Sequence, residues 1–463
     1  MDWLVVAIIA GSIIAAWIHI RAAAIWYDEA ITLLTTSGHA IPNWSLGMQQ
    51  FKPTTNLLKI LQDLYEYDVH PPLYFWVLAL WRATLGSSLE VARSLSAVFT
   101  VATLVALYRY AVSLNGRWPF IPVALYAFSS VGLRYAYNAR PYAMATFLVV
   151  LTLILSKRKS NWTGLCAACC VATHYFTALC VGPIVAIECF RSWRMARGWA
   201  VITSLSFIAF CMPLTVLLAK HVEARPHQYP GFGPFRKEVT ALLRASLEGA
   251  VPHSSLGVIW KLALLTVGTL AILGAVWAIR HGSYTLPLSY AGFLFSFLAT
   301  AIVTGKSISK MPNDYYLGVG APLLVLLVWL SLSAIPLAVP ILALIFLGGS
   351  LTATPIMEYT NYRAMVAEMR RNCNHCAIVV GYGYGGAVPA CILYEARDLD
   401  VYLLKAKDSI EEMDKQLGAN RVIYLVPSND PPTAAIENEF IVAHHGVKQQ
   451  GYFRLSPNVY ATQ

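Results

Sequence analysis

Apolar residues are concentrated in long blocks that contain few charged residues, and this pattern predicts the architecture of the chain. A helix that crosses the hydrocarbon core of a bilayer needs about 20 predominantly apolar residues, and several blocks reach that length. The blocks are Trp3–Ile20, Leu89–Tyr108, Met144–Leu155, Val201–Leu218, Leu256–Ile279, Leu286–Val303 and Pro322–Leu351. The pattern therefore predicts an α-helical polytopic membrane protein.

Composition agrees with this prediction. Charged residues make up 13% of the chain, against about 25% in an ordinary soluble domain. The net charge of +10 could indicate a nucleic-acid partner, but the basic residues lie in short clusters between apolar blocks, which is typical of cytoplasmic loops. We therefore expect membrane lipids around the chain and no nucleic acid as a partner.

Four basic clusters set the predicted orientation, because lysine and arginine collect in cytoplasmic loops. These clusters are Arg109–Arg117, Lys157–Lys159, Arg191–Arg197 and Arg280-His281. If all four face the cytoplasm, an even number of crossings separates them, Met1 is also inside and the C-terminal region is outside. About eleven transmembrane helices of bilayer-spanning composition satisfy this. After the first block, the predicted crossings are 89–112, 118–135, 141–157, 161–173, 175–190, 199–219, 257–279, 285–303, 315–331 and 334–353.

The segment 71–86 is apolar apart from Arg82, but it is short for a crossing. At 1.5 Å per residue its length is about 24 Å, less than the hydrocarbon thickness of about 30 Å. A full crossing there would invert every later loop, so we predict a re-entrant segment or one that lies against the membrane face. The alternative is that one of the short segments within 161–190 does not cross.

The chain is predicted to contain two domains. Residues 1–355 form the transmembrane domain, with long outer-face loops at 21–88 and 220–256, and residues 356–463 form a small α/β domain outside the membrane. Charged residues return after Met357, and short strands alternate with helical stretches there. The predicted elements are Asn361–Arg371, Ala377–Gly381, Val401–Leu404, Ser409–Leu417 and Val422–Val426. We expect a cytoplasmic (inner) membrane protein whose active site and C-terminal domain lie on the periplasmic or extracellular side.

The acidic pair Asp28-Glu29 directly follows the first apolar block. Adjacent carboxylates at a membrane boundary are costly unless they are solvated or used. A carboxylate can act as the general base that takes a proton from a hydroxyl as it attacks a sugar carbon. The alternative is a structural pair, either solvated in a loop or placed at a helix N-terminus, and the pair alone does not decide between the two.

Histidine and basic residues on the same predicted face suit a phosphate. His70 precedes Pro71-Pro72, which fix the backbone and can start a helix. Arg134 and Arg140 flank an aromatic stretch, and the arginine fork matches phosphate oxygens. The further candidates are His174, Lys306 and Lys310. The alternatives are a helix start at His70, interfacial snorkelling of the arginines, a core histidine and surface lysines.

Five landmarks occur in a fixed order along the chain. They are Asp28-Glu29, His70–Tyr74, Arg93–Ser96, Arg140–Ala143 and Thr173–Phe176. In this order they resemble the polytopic glycosyltransferases of the C-type fold (GT-C), in particular the protein O-mannosyltransferase and aminoarabinose-transferase-like group. The resemblance covers about residues 1–330, and the C-terminal α/β region resembles the outer-face domain of many bacterial members.

The resemblance implies a glycosyltransferase that uses a polyprenyl-phosphate sugar donor, acts on a glycan, lipid or protein acceptor and inverts the sugar carbon. It implies Asp28 as the catalytic base and Glu29 as the neighbour that orients the acceptor or the base. The resemblance implies His70, Arg140 and His174 as residues that line the donor phosphate. Arg134 and Lys310 are added to this phosphate site from their own charge and position in the sequence. No cofactor and no metal ligand are assigned, and a divalent cation is left open.

The chain departs from the resemblance in one late loop, and two other spacings resemble ligand motifs. Many relatives carry an Arg-Tyr pair before a late span, whereas this chain has Met311–Tyr316, so Lys310 would have to supply the late phosphate contact.

Gly381–Gly386 fits a phosphate-binding turn only by its glycine spacing, and Cys373–Cys376 lacks the second pair of a tetrahedral metal site. We predict a flexible turn at Gly381–Gly386, and either a local disulfide or no special role for the two cysteines.

The alternative function is a transporter or flippase of a lipid-linked glycan. Transport would require ionisable residues along the spans, and most of the apolar blocks carry few of them. The acids instead lie at one predicted mouth of the membrane domain, which favours chemistry. A non-catalytic scaffold is the third interpretation, and it predicts that the acids after the first block are dispensable.

Overall fold

The computed structural model describes residues 3–44, 51–224, 231–251, 257–310, 316–335, 342, 362–372, 376–382, 387–418, 422–427, 431–444, 447–449 and 459–461. The chain divides into two compact units. The first comprises Met1–Arg21, Leu64–Tyr74 and Arg93–Ile356, and the second comprises Ala22–Asp63, Phe75–Ala92 and Met357–Gln463. Most of the crossing predicted at 334–353, the Met311–Tyr315 loop, Cys373–His375 and Gly383–Gly386 lie outside the described residues.

Helices dominate the described part of the chain up to residue 335. They are α1 (Trp3–Ala22), α2 (Tyr27–Thr35), α3 (Leu57–Tyr67), α4 (Leu73–Leu85), α5 (Leu89–Ser113), α6 (Phe120–Ala127), α7 (Ser130–Ala136), α8 (Tyr142–Lys157), α9 (Thr163–Thr173), α10 (Ala178–Ser192), α11 (Arg197–Ala224), α12 (Phe235–Glu248), α13 (Gly257–Arg280), α14 (Thr285–Thr304) and α15 (Ala321–Ala334).

Six helical segments among the described residues are long and apolar enough to cross a membrane. They are Trp3–Ala22, Leu89–Ser113, Tyr175–Ser192, Arg197–Lys220, Trp260–Arg280 and Thr285–Thr304. Four shorter apolar helices accompany them, at Leu73–Leu85, Tyr142–Lys157, Thr163–Thr173 and Gly318–Ala334. The chain is thus an integral membrane protein with many of the helices that the apolar blocks predict.

Three predicted segments differ in detail. The crossing predicted at 118–135 is wrong as a single helix, because it is divided into α6 and α7; Ser129 caps α7 by accepting a hydrogen bond from the Gly132 N–H. The loop predicted at 220–256 contains the 14-residue helix α12. Helix α4 has 13 residues and a length of about 20 Å, which agrees with a segment too short to span.

Glycines allow close helix packing in the first unit, as is common in membrane proteins. A Cβ atom on Gly274 of α13 would lie 1.8 Å from the carbonyl oxygen of Leu327 on α15. A Cβ on Gly164 of α9 would lie 2.2 Å from the carbonyl oxygen of Thr203 on α11. These backbones approach each other closely only because the glycines have no side chain.

The C-terminal α/β domain lies within the second unit. Its helices are α16 (Tyr362–Asn372), α17 (Ala387–Glu395), α18 (Ile410–Leu417) and α19 (Pro431–Ala443). Its strands are β1 (Cys376–Gly381), β2 (Asp400–Leu404), β3 (Val422–Val426), β4 (Val447–Gln449) and β5 (Val459–Ala461).

A five-stranded sheet in the order β2-β1-β3-β5-β4 forms the centre of this domain. β1 pairs in parallel with β2 and β3, whereas β5 runs antiparallel to β3 and β4. Apolar residues of the strands pack on α18 and α19 in a core that includes Val379, Leu425, Met413 and Phe440. The three strands predicted from the sequence are present, within one residue of the predicted bounds.

Candidate active site

The acidic pair lies in the first turn of α2, in the second unit. Trp26 has an extended backbone before the helix, and its carbonyl accepts the first hydrogen bond, from the Ala30 N–H. Asp28 is half-buried and Glu29 is buried, with 1% of its surface exposed. The pair is therefore not a solvated loop. Acidic residues in a first turn are also favoured by the helix dipole. The position of the pair therefore agrees equally with the alternative that it stabilises a helix N-terminus.

Helix α2 packs against α17 of the C-terminal domain. The Cys391 thiol of α17 lies 3.8 Å from the carbonyl oxygen of Ile25, just before α2. Burial raises the pKa of Cys391, and the carboxylates of Glu29, Glu395 and Asp28 raise it further. The acidic pair is therefore near enough to this thiol to act on it electrostatically, and the thiol stays neutral.

The other end of α2 is bound by Arg82 of α4. The Arg82 guanidinium is fully buried, and it donates hydrogen bonds to the carbonyl of Leu33, the hydroxyl of Thr36 and the carbonyl of Phe51. Carbonyls at a helix C-terminus lack partners within the helix and attract cations. Arg82 thus fixes the helix that carries Asp28.

In the first unit, Asp68, His70 and Arg140 form a chain of hydrogen bonds. Asp68 Oδ1 lies 2.8 Å from His70 Nδ1, and Arg140 Nη2 lies 2.8 Å from His70 Nε2. Burial alone would raise the pKa of Asp68, but the hydrogen-bonded His70 and the Arg140 guanidinium outweigh burial and hold that pKa well below its usual value. Arg140 is 2% exposed, which excludes snorkelling to the membrane surface.

His174 joins this cluster from the turn between α9 and α10. Its ring lies 6.0 Å from that of His70 and 5.2 Å from that of Tyr142. Phe176 and Tyr316 stack on each other beside it. Burial, with the neighbouring Arg140 cation, lowers the pKa of His174 well below its usual value, so this ring is neutral and enclosed by aromatic rings.

Two residues of the third landmark, Arg93–Ser96, donate hydrogen bonds to backbone carbonyls. Ser96 of α5 donates a hydrogen bond to the carbonyl of Asn138 across 2.6 Å, and that same carbonyl accepts from the backbone N–H of Arg140. Arg93 is buried and donates to the carbonyl of Ile20 at the end of α1. The Arg-x-x-Ser step therefore orders two backbone segments.

The remaining phosphate candidates are Arg134, Lys306 and Lys310, and they lie on other elements of the first unit. Lys306 is half-buried just after α14. Arg134 is buried in the last turn of α7. Lys310 is exposed and ends a short 3-10 turn that packs against α12. Glu238 of α12 holds this turn by accepting hydrogen bonds from the Ser307 hydroxyl and the Ser309 N–H.

The structure thus brings His70, Arg140 and His174 into one cluster and places Asp28-Glu29 in the other unit. Sequence reasoning missed three residues that hold the candidates: Asp68, Arg82 and Glu238. The first two carried a signal in the sequence, since Asp68 is an acid two positions before His70, and Arg82 interrupts an apolar run.

Among the described residues, no group of three His, Cys, Asp or Glu side chains is placed to hold a metal ion.

Comparison with known proteins identifies the fold. No protein-family model matches the chain, and no curated protein matches it. The crystal structure of ArnT from Cupriavidus metallidurans bound to undecaprenyl phosphate matches with a TM-score of 0.60 and 11% identity, covering 99% of this chain and 97% of that chain. The apo structure of the same protein matches with a TM-score of 0.50, at the same identity and coverage.

These matches define the class of the molecule. It has the fold of ArnT, an aminoarabinose transferase of the GT-C fold, along nearly its whole length. The GT-C fold predicted from the five sequence landmarks is confirmed, as is the prediction of an α-helical membrane protein with a small C-terminal α/β region.

Proposed function

We propose that the protein is a membrane glycosyltransferase that transfers a monosaccharide from a polyprenyl-phosphate donor to a glycan, lipid or protein acceptor outside the cytoplasmic membrane. The observation that supports this most is the fold shared with ArnT over 99% of the chain, since that ArnT structure holds undecaprenyl phosphate. The cluster of His70, Arg140 and His174 adds support from the side chains, because it provides a buried cation next to two imidazoles.

On the donor side, the reaction needs stabilisation of the leaving group. The bond between the sugar carbon and the phosphate oxygen breaks, and its electron pair stays on the oxygen. The polyprenyl phosphate that leaves therefore carries one more negative charge than it did in the donor. A fixed cation in a low-dielectric site stabilises such a charge without reorganisation. We assign this role to Arg140, whose guanidinium is buried and held by His70.

On the acceptor side, the reaction needs a base. We assign Asp28, which takes the proton of the acceptor hydroxyl as the oxygen attacks the sugar carbon from the face opposite the phosphate. This direction of attack inverts the carbon. Asp28 is half-buried in the first turn of α2, a helix whose other end is held by Arg82. Glu29 is more deeply buried and supports the base or the acceptor.

Reconstitution separates this proposal from the transporter alternative. Full-length protein in proteoliposomes would be supplied with a panel of radiolabelled polyprenyl-phosphate sugars and a cell-envelope extract as the source of acceptors. A transferase moves the label into an acceptor fraction and releases polyprenyl phosphate. Label that changes leaflet but stays bonded to the lipid would instead support a flippase and contradict the proposal. The donor that is consumed would also identify the sugar.

A further inference from the structure

The chain of contacts through His70 has a defined proton arrangement. A guanidinium has only hydrogen-bond donors, so at 2.8 Å His70 Nε2 must accept from Arg140. The proton of the neutral imidazole is then on Nδ1, and it is donated to Asp68 Oδ1. In the doubly protonated ring and in the other tautomer, Nε2 carries a proton. Its N–H would then point at the N–H of Arg140, and no hydrogen bond could form. Asp68 therefore selects the form of His70 that can hold Arg140.

This arrangement uses both ring nitrogens of His70 within the protein. His70 consequently acts as a connector between a carboxylate and a guanidinium, whereas the sequence pattern suggested a direct contact with phosphate. A histidine whose second nitrogen is held by a carboxylate is fixed in its orientation and tautomer. In this cluster the fixed tautomer leaves the Nε2 lone pair available to accept the bond from Arg140.

The backbone around Asp68 is built to fix this geometry. Asp68 Oδ1 also accepts a hydrogen bond from the Val69 N–H, 2.6 Å away. Pro71 and Pro72 restrict the chain immediately after His70, and α4 starts at Leu73. The carboxylate and the imidazole are thus held by a short turn with few conformations, while Arg140 is held separately by the contact between Asn138 and its backbone N–H.

The charged and titratable groups that the contacts place around this turn are Asp68, His70, Arg140, His174 and Tyr175. We propose that Asp68 is a positioning residue which, through the neutral ring of His70, fixes the Arg140 guanidinium for the phosphate of a polyprenyl-phosphate donor. This inference rests on the proposed function, and it adds a residue to which neither the fold likeness nor the sequence landmarks assign a role.

The inference is tested by binding of undecaprenyl phosphate to the full-length protein in lipid nanodiscs, together with donor and acceptor KM values. Asp68→Leu removes the acceptor for Nδ1. We expect binding to weaken about 10- to 100-fold, the size of effect seen for residues that orient metal-binding histidines, with the acceptor KM unchanged. Asp68→Asn keeps an oxygen but loses the charge, so an intermediate loss is expected. The matched control is Asp63→Asn, which alters a buried acid of α3 that pairs with Lys59 and should leave binding unchanged.

A double-mutant cycle separates positioning from simple stability. If Asp68 acts through Arg140, then Asp68→Leu adds little to the binding defect of Arg140→Ala. Additive defects in the cycle, or equal changes of donor and acceptor KM, would overturn the inference. A wild-type protein that binds undecaprenyl phosphate, with Asp68→Leu and Asp68→Asn binding equally well, would overturn the positioning role alone. A wild-type protein that does not bind it would overturn the proposed function as well.

Discussion

The Arg82 guanidinium donates a hydrogen bond to the carbonyl oxygen of Leu33, 2.9 Å away, in the last turns of α2. Asp28 lies in the first turn of this same helix. A fully buried cation on α4 therefore holds the element that carries the proposed base.

Replacing Arg82 should destabilise the protein. Arg82→Met leaves the buried carbonyl of Phe51 without its donor, which costs about 1–3 kcal/mol. The Leu33 carbonyl loses Arg82 but keeps the Ser37 hydroxyl as a donor. Arg82→Lys keeps the charge but lacks the planar fork, so a smaller loss is expected. Thermal unfolding of the detergent-solubilised protein measures both effects, with Arg371→Met as the control because that side chain is 71% exposed. An unchanged melting temperature for Arg82→Met would contradict the anchoring role.

Two glycines of α13 should respond differently to alanine. A Cβ on Gly274 would meet the Leu327 backbone at 1.8 Å, whereas a Cβ on Gly268 meets only the flexible end of the Leu247 side chain at 3.4 Å. Overpacking typically costs about 1–3 kcal/mol, so Gly274→Ala should unfold at a lower temperature while Gly268→Ala stays close to wild type. Equal melting temperatures for the two variants would show that α13 and α15 are not packed this closely.

Glu238 should contribute stability that depends on pH. Burial alone would raise its pKa, but hydrogen bonds from Ser309, Ser307 and Gly233 outweigh burial and lower the pKa below its ordinary value of 4.5. The stabilisation is therefore fully present above about pH 4.5 and disappears as the pH falls through the lowered pKa. Wild type should melt above Glu238→Gln at pH 7, and the difference should shrink at pH 3. A difference that is constant with pH would exclude this carboxylate as the cause.

Arg140 should affect the donor more than the acceptor. Arg140→Ala removes the buried guanidinium proposed to meet the phosphate, and we expect the donor KM to rise at least about tenfold, a change of about 1.4 kcal/mol, with the acceptor KM unchanged. Arg236→Ala is the control, since Arg236 is an exposed arginine of α12 in the same unit. Steady-state transfer at varied donor and acceptor concentrations gives both constants, and an unchanged donor KM would reject the assignment.

The fold could be predicted largely because membrane insertion imposes a simple rule. Long apolar blocks must become helices in lipid, and α5, α11, α13 and α14 follow the predicted bounds closely. The division at Phe128–Ser129 was not predictable from hydropathy, because it depends on a local cap by Ser129. Helix α12 was missed because its polar face made residues 235–248 look like an ordinary loop.

The candidate site was predictable only in part. The order of the landmarks indicated His70, Arg140 and His174, which the structure gathers in one cluster. The residues that hold them depend on tertiary contacts between distant segments, such as Ser96 with Asn138, and no local pattern contains that information. The phosphate roles assigned to the three residues of the cluster stay predictions, as do the roles assigned to Asp28, Glu29, Arg134 and Lys310.

Transfer of sugar by an Asp28→Asn variant tests the central proposal most directly. Membranes that contain wild-type or variant protein at equal levels would receive the radiolabelled polyprenyl-phosphate sugar that the wild type uses. The control is the double variant Glu411→Gln/Glu412→Gln, which alters another acidic pair in the first turn of a helix, α18, where both side chains are exposed. We predict that Asp28→Asn abolishes transfer while the control transfers as well as wild type; full transfer by Asp28→Asn would contradict Asp28 as the base.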